Sequence, residues 1–404
     1  MNILIINQPL NNRGDESAHR GFVRRLRNDF PCAKIQVLFV SNEIDSINQF
    51  RVDNSIDYVS VKLMKGYSRL CKNGFRLLKS IPLLWYLFPT IRKQLKSYRQ
   101  ADYIICAPGG ICMGGFQNWE HLFHIYLAKY FNKPLAYYGR SIGPFPTSTE
   151  SEKKFKKLSM EMLNYFSYLS IRDNVSSDLA TELGIKHHKT LDSAFLDAPK
   201  VDIPAEINLK NEKYVVFVPN LLIWHHAYRN RVSKEQVIDF FKRILDCLLE
   251  KYPSHNIIML PQTFNNGTYV GDDILFFKDI KSVYNDERII VLPDTYSSDI
   301  QQTIISQAEL MVGARYHSVV FALNNNTPFI ALSYEHKIAG LLQVLGKEDC
   351  MIDITSVFDS EQTINNAIDK FINMLESSSK DESAMNNAKK IADKAYRNFV
   401  KLLN

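Results

Sequence analysis

The chain of 404 residues is longer than one core can organise and suits two domains of roughly 150–200 residues each. Its 46% hydrophobic and 23% charged residues are typical of a soluble globular protein with large cores. The first residues, Met1–Asn7, lack a basic region ahead of their apolar run, which argues against a secretory signal. The six cysteines form no C-x-x-C pair and have no histidine at ligand spacing, so we expect reduced cytosolic thiols rather than structural zinc or disulfides.

The first predicted strand is Asn2–Asn7, and a polar loop follows it before a helix that carries Phe22 on its apolar face. Gly14 and Asp15 lie in this loop, at the carboxyl end of the strand, which is the ligand edge of an open α/β sheet. Aspartate is also among the best helix N-caps, so a ligand contact and a plain cap both remain open for Asp15.

Residues 51–100 carry eleven cationic and two acidic side chains, a net charge of +9 in a chain whose total is +6. Within them lies an aromatic and apolar run from Ile81 to Ile91 that is too short to span a bilayer. Such a composition is typical of an interfacial membrane anchor. It is also typical of a buried helix whose neighbouring lysines and arginines reach water, and the sequence leaves both interpretations open. No nucleic-acid-binding motif accompanies the charge.

A strong buried strand at 102–107 ends in a glycine-rich stretch that begins with Gly109 and Gly110. Glycines in such a loop let the backbone approach a ligand closely. The stretch is neither a Walker loop nor a dinucleotide-binding fingerprint. We therefore predict a βα loop at the ligand edge without a nucleotide assignment.

Two further polar positions follow strands in the first half of the chain. The strand at 135–138 leads into a predicted glycine turn that contains Arg140 and Ser141, and Arg172 directly follows the strand at 168–170. Because the carboxyl ends of parallel strands meet at one edge of a sheet, these residues and the two earlier loops predict a cleft.

A second series of elements begins after a polar stretch near residue 200. Tyr214–Val218 is its first strand, and Ser233 with Gln236 forms a capping box before a helix of period 3.6. Further elements are strands at 257–260, 289–292 and 328–333, helices at 300–307 and 338–345, and an amphipathic helix from about 381 to 403.

Strands that alternate with helices twice over predict an α/β fold of two doubly wound, Rossmann-like domains that face each other across a cleft. We assign residues 1–200 to the first domain and 201–380 to the second. Residues 381–404 are expected to form a C-terminal helix that packs back.

The stretch from Glu309 to Asn324 is the one around which the second half is organised. Its apolar run breaks at Gly313 and resumes at helical spacing, which predicts a strand, a tight turn and a helix that starts near Arg315 and His317. The start of such a helix binds anions through its N–H groups and dipole, and arginine adds a fixed charge. An ordinary strand–helix junction with a capping histidine would show the same pattern.

The next strand delivers a similar group, since Glu335, His336 and Lys337 follow the strand at 328–333. A solvated helix start would explain these three residues alone. Two successive strands that each present a histidine and a cation at the ligand edge favour a functional site. No serine or cysteine nucleophile motif and no metal-type spacing competes with it.

Seven short motifs occur in order along the chain: Asn12-Arg-Gly-Asp-Glu16, Pro108-Gly-Gly110, Arg140-Ser-Ile-Gly-Pro144, Ser170-Ile-Arg-Asp173, Asp192-Ser-Ala194, Gly313-Ala-Arg-Tyr-His-Ser318 and Ala331-Leu-Ser-Tyr-Glu-His-Lys337. Together they cover nearly the whole sequence, and the set resembles the polysaccharide pyruvyl transferase family. Two regions match no motif that we can align, namely residues 51–100 and the segment Pro219–His226.

The resemblance implies a GT-B-like architecture and transfer of the pyruvyl group of phosphoenolpyruvate onto two hydroxyls of a sugar. The products are a cyclic pyruvate ketal and phosphate, and no cofactor or metal is implied beyond phosphoenolpyruvate as co-substrate. The family's Arg-x-His at the phosphoenolpyruvate site falls on Arg315 and His317. The family's arginine in the Ser-x-Arg-Asp segment falls on Arg172.

The implied chemistry assigns roles to these side chains. Arg172, Arg315 and Lys337, with a helix start, match the carboxylate and phosphate of phosphoenolpyruvate. We expect His317 to bind phosphate or act as general acid, and Asp15 or Glu335 to act as base toward the sugar hydroxyl. The other residues expected to bind substrate are Gly14, Gly109, Gly110, Arg140, Ser141, Tyr316 and His336.

The acceptor expected from the resemblance is a lipid-linked oligosaccharide precursor of a surface or capsular polysaccharide. The basic segment of the first domain, with Trp85, Tyr86 and Phe88, would then contact anionic lipid at the inner face of the membrane from the cytoplasm. Two alternatives stay open. One is a GT-B nucleotide-sugar glycosyltransferase, whose diphosphate would use the helix start at Tyr316 and whose ribose would use Glu335. The other is a non-catalytic glycan-binding partner in an assembly complex.

Overall fold

The computed structural model describes residues 1–9, 12–42, 54–207, 209, 212–225, 227–264, 271–293 and 296–403, without the side chains of residues 111 and 112. The chain divides into two compact units. The first unit comprises Met1–Leu10, Ala18–Asp197 and Ile391–Asn404, and the second comprises Asn11–Ser17 and Ala198–Lys390. A short segment near the start of the chain therefore belongs to the second unit.

The sheet of the first unit is parallel throughout. Its strands are β1 (Asn2–Ile6), β2 (Lys34–Val40), β3 (Ile56–Val61), β4 (Tyr103–Cys106), β5 (Gly109–Met113), β6 (Leu135–Ile142), β7 (Tyr168–Ile171) and β8 (His188–Lys189). They lie in the order β3-β2-β1-β4-β6-β7-β8, with β5 beside β6. The strand order reverses between β1 and β4, so the ligand crevice of this sheet is expected at their carboxyl ends.

Helices cover both faces of this sheet. They are α1 (Arg13–Asp29), α2 (Tyr67–Ser80), α3 (Pro89–Gln100), α4 (Trp119–Tyr130), α5 (Glu150–Leu163) and α6 (Asn174–Glu182). Successive side chains of a strand point to opposite faces, and Ile3 and Ile5 accordingly join a core with Phe22 of α1 and Phe399 near the C-terminus. The opposite face carries a larger core in which Leu4 meets residues of α2, α3 and α4. The predicted doubly wound arrangement and the packing of the C-terminal helix are confirmed.

The second sheet is also parallel throughout. Its strands are β9 (Tyr214–Val218), β10 (Asn256–Met259), β11 (Ile289–Val291), β12 (Leu310–Gly313), β13 (Phe329–Ser333) and β14 (Met351–Asp353). Its helices are α7 (Lys234–Lys251), α8 (Asp273–Lys281), α9 (Ser298–Gln307), α10 (Tyr316–Asn324), α11 (His336–Leu345), α12 (Glu361–Ser377) and α13 (Glu382–Val400), whose last part lies in the first unit. The order β11-β10-β9-β12-β13-β14 reverses between β9 and β12. Residues that follow β9 and β12 therefore occupy the crevice position.

Two sequence predictions in the first unit are wrong. Gly109–Met113 is the strand β5 rather than a loop, and it pairs with β6 in an irregular register. Strand β6 continues to Ile142, so Arg140 and Ser141 lie in a strand rather than in a turn. Glycine was interpreted as a strand breaker in both places, but pairing between β5 and β6 overrides that local preference. Among the described residues, no helix is both long and apolar enough to cross a bilayer.

Candidate functional site

Helices α10 and α11 begin without a side-chain cap. Arg315 and Glu335 are their N-cap residues, and neither side chain accepts a hydrogen bond from its helix start. The other described α-helices that lie in the second unit from residue 198 onward are capped by Ser233, Asp272, Ser297, Ser360 and Asp381. Because α10 and α11 follow the neighbouring strands β12 and β13, two helix starts suited to anions lie side by side.

The guanidinium of Arg315 forms an ion pair with the buried carboxylate of Asp273, the first residue of α8. Asp273 also accepts the backbone N–H groups of Gln262 and Thr263, each at 2.9 Å, so the arginine is held by a fixed partner. Burial opposes the positive charge, but the pKa of Arg315 is raised by Asp273, Tyr334 and Glu335. Its buried Nε–H has no hydrogen-bond partner within the described part of the chain and is a donor for an anion.

The ring of His317 lies directly against Gly14. A Cβ added at Gly14 would overlap Nδ1 and Cγ of that ring, so glycine is required where the two segments meet. His317 is buried, in the first turn of α10, and its ring meets that of Tyr316 edge-on at a centroid distance of 5.0 Å. The Gly14 motif and the Arg315 motif, about 300 residues apart in sequence, are thus brought into contact in the second unit.

Asn12 fixes the start of α1, where Gly14 and Asp15 lie in the first turn of the helix rather than in the loop that the sequence predicted. Its side-chain oxygen accepts the N–H groups of Gly14 at 2.7 Å and Asp15 at 3.2 Å, so Asn12, and not Asp15, caps α1. This helix start is tied to the segment after β10 by a hydrogen bond from the N–H of Arg13 to the carbonyl oxygen of Gln262 at 2.9 Å. Asp15 is partly exposed and follows the glycine on which His317 rests. A cap role for Asp15 is therefore excluded.

The group after β13 adds a second cation and carboxylate. Nζ of Lys337 lies 3.3 Å from the carboxylate of Glu335, and both side chains are partly shielded from water. Tyr334 is buried beside them, and burial, followed by the charge of Glu335, raises the pKa of its hydroxyl. His336 is exposed. The candidate site thus contains two cations, each of which is paired with a carboxylate. It also contains two uncapped helix starts and one buried histidine.

In the first unit, Arg140 is occupied by the backbone. The buried guanidinium donates to the carbonyl oxygens of Asn7 at 3.0 Å, Ala107 at 2.7 Å and Gly110 at 3.0 Å. These acceptors follow β1 and β4 or lie in β5, so Arg140 ties the strand ends together where the strand order reverses. Its substrate contact remains a prediction, and its observed role is structural.

Arg172 and Ser141 are likewise engaged. Arg172 forms an ion pair with Asp192, with side chains that are 4% and 1% exposed. The hydroxyl of Ser141 donates to Asp173 at 2.6 Å, and Asp173 caps α6. Gly110 differs, because a Cβ added there would meet no atom within 4 Å.

Sequence reasoning missed Asp273, the partner of Arg315, and the residues after β9. Asp273 is the first residue of α8, a helix that the sequence analysis did not assign. Asn220 and Trp224 lie in a segment without a family motif, so their position at the end of a central strand was the remaining indication.

Comparison with known proteins finds a matching family model and a related protein of known name. The family model of polysaccharide pyruvyl transferases matches residues 12–336, from the loop of Asn12 to the start of α11. The amylovoran biosynthesis protein AmsJ of Erwinia amylovora is 21% identical over 398 residues, which cover 92% of this chain and 93% of that protein.

Solved structures of low sequence identity share the fold. The UDP-GlcNAc 2-epimerase of Neisseria meningitidis, bound to UDP-GlcNAc, has a TM-score of 0.56 at 12% identity and covers 100% of this chain and 99% of its own. Trehalose-6-phosphate synthase OtsA has a TM-score of 0.54 at 11% identity, with coverage of 100% and 99%. The predicted GT-B-like fold is confirmed.

Proposed function

Because the chain belongs to the polysaccharide pyruvyl transferase family, we propose that it transfers the pyruvyl group of phosphoenolpyruvate onto two hydroxyls of a sugar in a surface-polysaccharide precursor. The observation that carries the proposal is the packing of His317 on Gly14 at an uncapped helix start that also presents Arg315. Phosphoenolpyruvate is a trianion with a carboxylate and a phosphate. Arg315, Lys337 and two helix starts offer it matched donors.

The first bond forms at C2 of phosphoenolpyruvate. In this proposal His317 donates a proton to the methylene carbon, which becomes a methyl group, and positive charge develops on C2. A sugar hydroxyl oxygen attacks C2 and gives its proton to Asp15 or Glu335. A helix start opposes positive charge on the ring of His317, so the bound phosphate must supply the negative charge that favours imidazolium.

The second bond closes the ketal. The bond between C2 and the phosphate oxygen breaks, phosphate leaves with the electron pair, and the second hydroxyl attacks C2 and loses its proton. Of the two hydroxyl protons, one restores the acid and the other leaves as part of hydrogen phosphate. The reaction balances without oxidant, reductant or further co-substrate.

A lipid-linked acceptor is the finer part of the proposal, and it is supported by the surface of the first unit. Leu77, Leu83 and Leu87 are 53%, 77% and 71% exposed, whereas Trp85 between them is 1% exposed and packs on the ring of Tyr130. The prediction that Trp85 contacts lipid is therefore wrong, because this ring anchors the segment in the core while the leucines are exposed. Nine lysines and arginines of the same segment are also exposed: Lys62, Lys65, Arg69, Lys72, Arg76, Arg92, Lys93, Lys96 and Arg99.

Exposed leucines within a cationic surface match an anionic membrane surface. Flotation with vesicles of phosphatidylcholine and phosphatidylglycerol at low salt tests this contact. We expect the double variant Leu83→Ser, Leu87→Ser to bind about tenfold more weakly. The matched control is Val283→Ser, which changes an exposed valine of the second unit and should float like the parent. Equal flotation of all three proteins would contradict the membrane contact.

The reaction itself is tested by phosphate release from phosphoenolpyruvate. The acceptors are lipid-linked or aryl glycosides that end in galactose, glucose or N-acetylmannosamine. We expect acceptor-dependent release that is lost in His317→Ala and retained in His188→Ala, which changes an exposed histidine of β8. Full turnover by His317→Ala would contradict its assigned role. Thermal stabilisation by UDP-sugars but not by phosphoenolpyruvate would replace the proposal with the nucleotide-sugar alternative.

A further inference from the structure

The segment after β9, which matches no family motif, crosses the ligand edge of the second sheet. We call residues 219–225 and 227–228 the crossing loop. The chain leaves β9 at Val218 and enters α7 only at Lys234, so this connection is far longer than the usual βα loop of about 2–6 residues. Loops of such length inside a compact unit commonly carry function.

The contacts of the crossing loop follow the order of the strands. The amide of Asn220 donates to the carbonyl oxygen of Ala314 at 3.5 Å, directly after β12. The ring of Trp224 packs on that of Tyr334, directly after β13, at a centroid distance of 6.0 Å. The hydroxyl of Tyr228 donates to the carbonyl oxygen of Ile354 at 2.9 Å, directly after β14. Because the sheet order is β9-β12-β13-β14, the loop passes over the strand ends that present Arg315 and Glu335.

The loop holds Trp224 in a fixed position. The side-chain oxygen of the buried Asn220 accepts the indole N–H of Trp224 at 3.1 Å and the backbone N–H of Leu222 at 3.4 Å. Leu222 has a φ of 62°, in the left-handed region that a leucine seldom adopts. Residues held in such a conformation cluster at ligand sites, because the surrounding contacts must enforce them.

Trp224 differs from the other two tryptophans of the chain. It is 38% exposed, whereas Trp85 and Trp119 are 1% and 4% exposed. Its N–H is already bonded to Asn220, so the surface that it presents is the apolar carbon surface of the indole. A large exposed aromatic ring at the crevice position of a GT-B sheet is suited to stacking with a ligand.

We infer that Trp224 is the platform for the sugar ring that receives the pyruvyl group. This inference rests on the proposed function. Both acceptor oxygens must bond to C2 of phosphoenolpyruvate, so the receiving ring must reach the donor site of Arg315 and His317, whatever part of the protein binds the rest of the acceptor. The crossing loop lies over the strand end that presents Arg315. A pyranose ring offers a face of C–H groups with partial positive charge, which packs on the negative face of an indole and leaves the hydroxyls at the ring edge free.

The test uses acceptor made from the surface polysaccharide of the organism that encodes the chain. Mild acid removes ketals and cuts the polymer into oligosaccharides, so the receiving sugar is present whichever it is. In the steady-state assay, Trp224→Ala should raise KM for these oligosaccharides about tenfold and leave KM for phosphoenolpyruvate unchanged. Trp224→Phe, which keeps an aromatic face, should restore most of the affinity. A rise in KM for phosphoenolpyruvate alone, or no change in either KM, would overturn the inference.

Collisional quenching gives a readout that does not depend on turnover. Since Trp85 and Trp119 are buried, acrylamide quenches Trp224 selectively, and Trp224→Phe supplies the background. The oligosaccharides should protect Trp224 from acrylamide, and UDP-N-acetylglucosamine should not. Protection without phosphate release would reject pyruvyl transfer while supporting the sugar platform. Protection by UDP-N-acetylglucosamine but not by the oligosaccharides would overturn both the proposed pyruvyl transfer and the sugar platform.

Discussion

The two sheets present arginines near their carboxyl ends but engage them differently. In the first unit, Arg140 donates to three backbone carbonyls and Arg172 pairs with a buried aspartate. In the second unit, Arg315 shares one carboxylate, keeps a buried N–H without a partner among the described residues, and lies beside two uncapped helix starts. A cation at a strand end therefore indicates a binding site only when the surrounding backbone has not already used its donors.

Helix caps show a contrast within the second unit. Its described α-helices α7, α8, α9, α12 and α13 have side-chain caps, whereas α10 and α11, which follow β12 and β13, begin without one. The first unit contains both kinds, since α4, α5 and α6 are capped by Asn118, Thr149 and Asp173 but α2 and α3 have no side-chain cap. Since a cap stabilises a helix by about 0.5–2 kcal/mol, its omission at two adjacent positions fits a site that a ligand completes.

The largest expected effect concerns activity at Arg315. Arg315→Ala should lower kcat/KM for phosphoenolpyruvate by about 10³-fold, because the anion loses a charged donor in a shielded site. The melting temperature should change little, since Asp273 keeps two backbone donors. Arg231→Ala, which removes an exposed arginine of the same unit, is the control for phosphate-release kinetics. An Arg315→Ala protein that is destabilised but turns over normally would show that Arg315, like Arg140, has a structural role only.

At Arg140 we expect a loss of stability rather than a specific loss of activity. Arg140→Ala leaves three carbonyl oxygens without their charged donor and should lower the free energy of unfolding by about 3–5 kcal/mol. Urea denaturation measures this change. Arg24→Ala removes a half-exposed ion pair with Asp197 and should cost about 0–1 kcal/mol. If Arg140→Ala folds normally and instead raises KM for substrate, the first-unit edge binds ligand as the sequence predicted.

A smaller effect on activity is expected at Gly14. Gly14→Ala places a methyl group where the ring of His317 lies, so the ring must shift and kcat should fall about 10²-fold. Gly340→Ala is the matched control, because a Cβ at that position in α11 meets no atom within 4 Å. Phosphate-release kinetics compare the two variants. Equal kcat for both would show that the position of His317 is unimportant for turnover.

The effect that is smallest near neutral pH concerns the first unit. Burial lowers the pKa of His124 from 6.5 to about 3. The unfolded chain therefore binds a proton that the folded unit excludes, and the free energy of unfolding falls as pH drops from 6.5 towards about 3. His124→Gln should reduce this acid slope by about 1.4 kcal/mol per pH unit, as followed by urea denaturation at several pH values. Parallel curves for the parent protein and His124→Gln would contradict the assignment.

Local patterns predicted much of this molecule. Tyr214–Val218, the capping box of Ser233 and the strand–turn–helix around Gly313 all lie where hydrophobic period and cap chemistry place them. The partners of Arg140 and Arg315 could not be predicted, because both are set by contacts between distant segments. The strand Gly109–Met113 was missed for the same reason, since its pairing with β6 outweighs its glycines.

The assignment of residues 11–17 to the second unit has a consequence for recombining relatives of this chain. A chimera that joins the first half of one family member to the second half of another at residue 198 would combine Gly14 and His317 from different parents. A design that transplants the segment 11–17 together with the second unit keeps the native pair. The preference of such hybrids for phosphoenolpyruvate should therefore follow the parent that supplies both residues 11–17 and the second unit. In chimera design, residues 11–17 should be kept together with the C-terminal half.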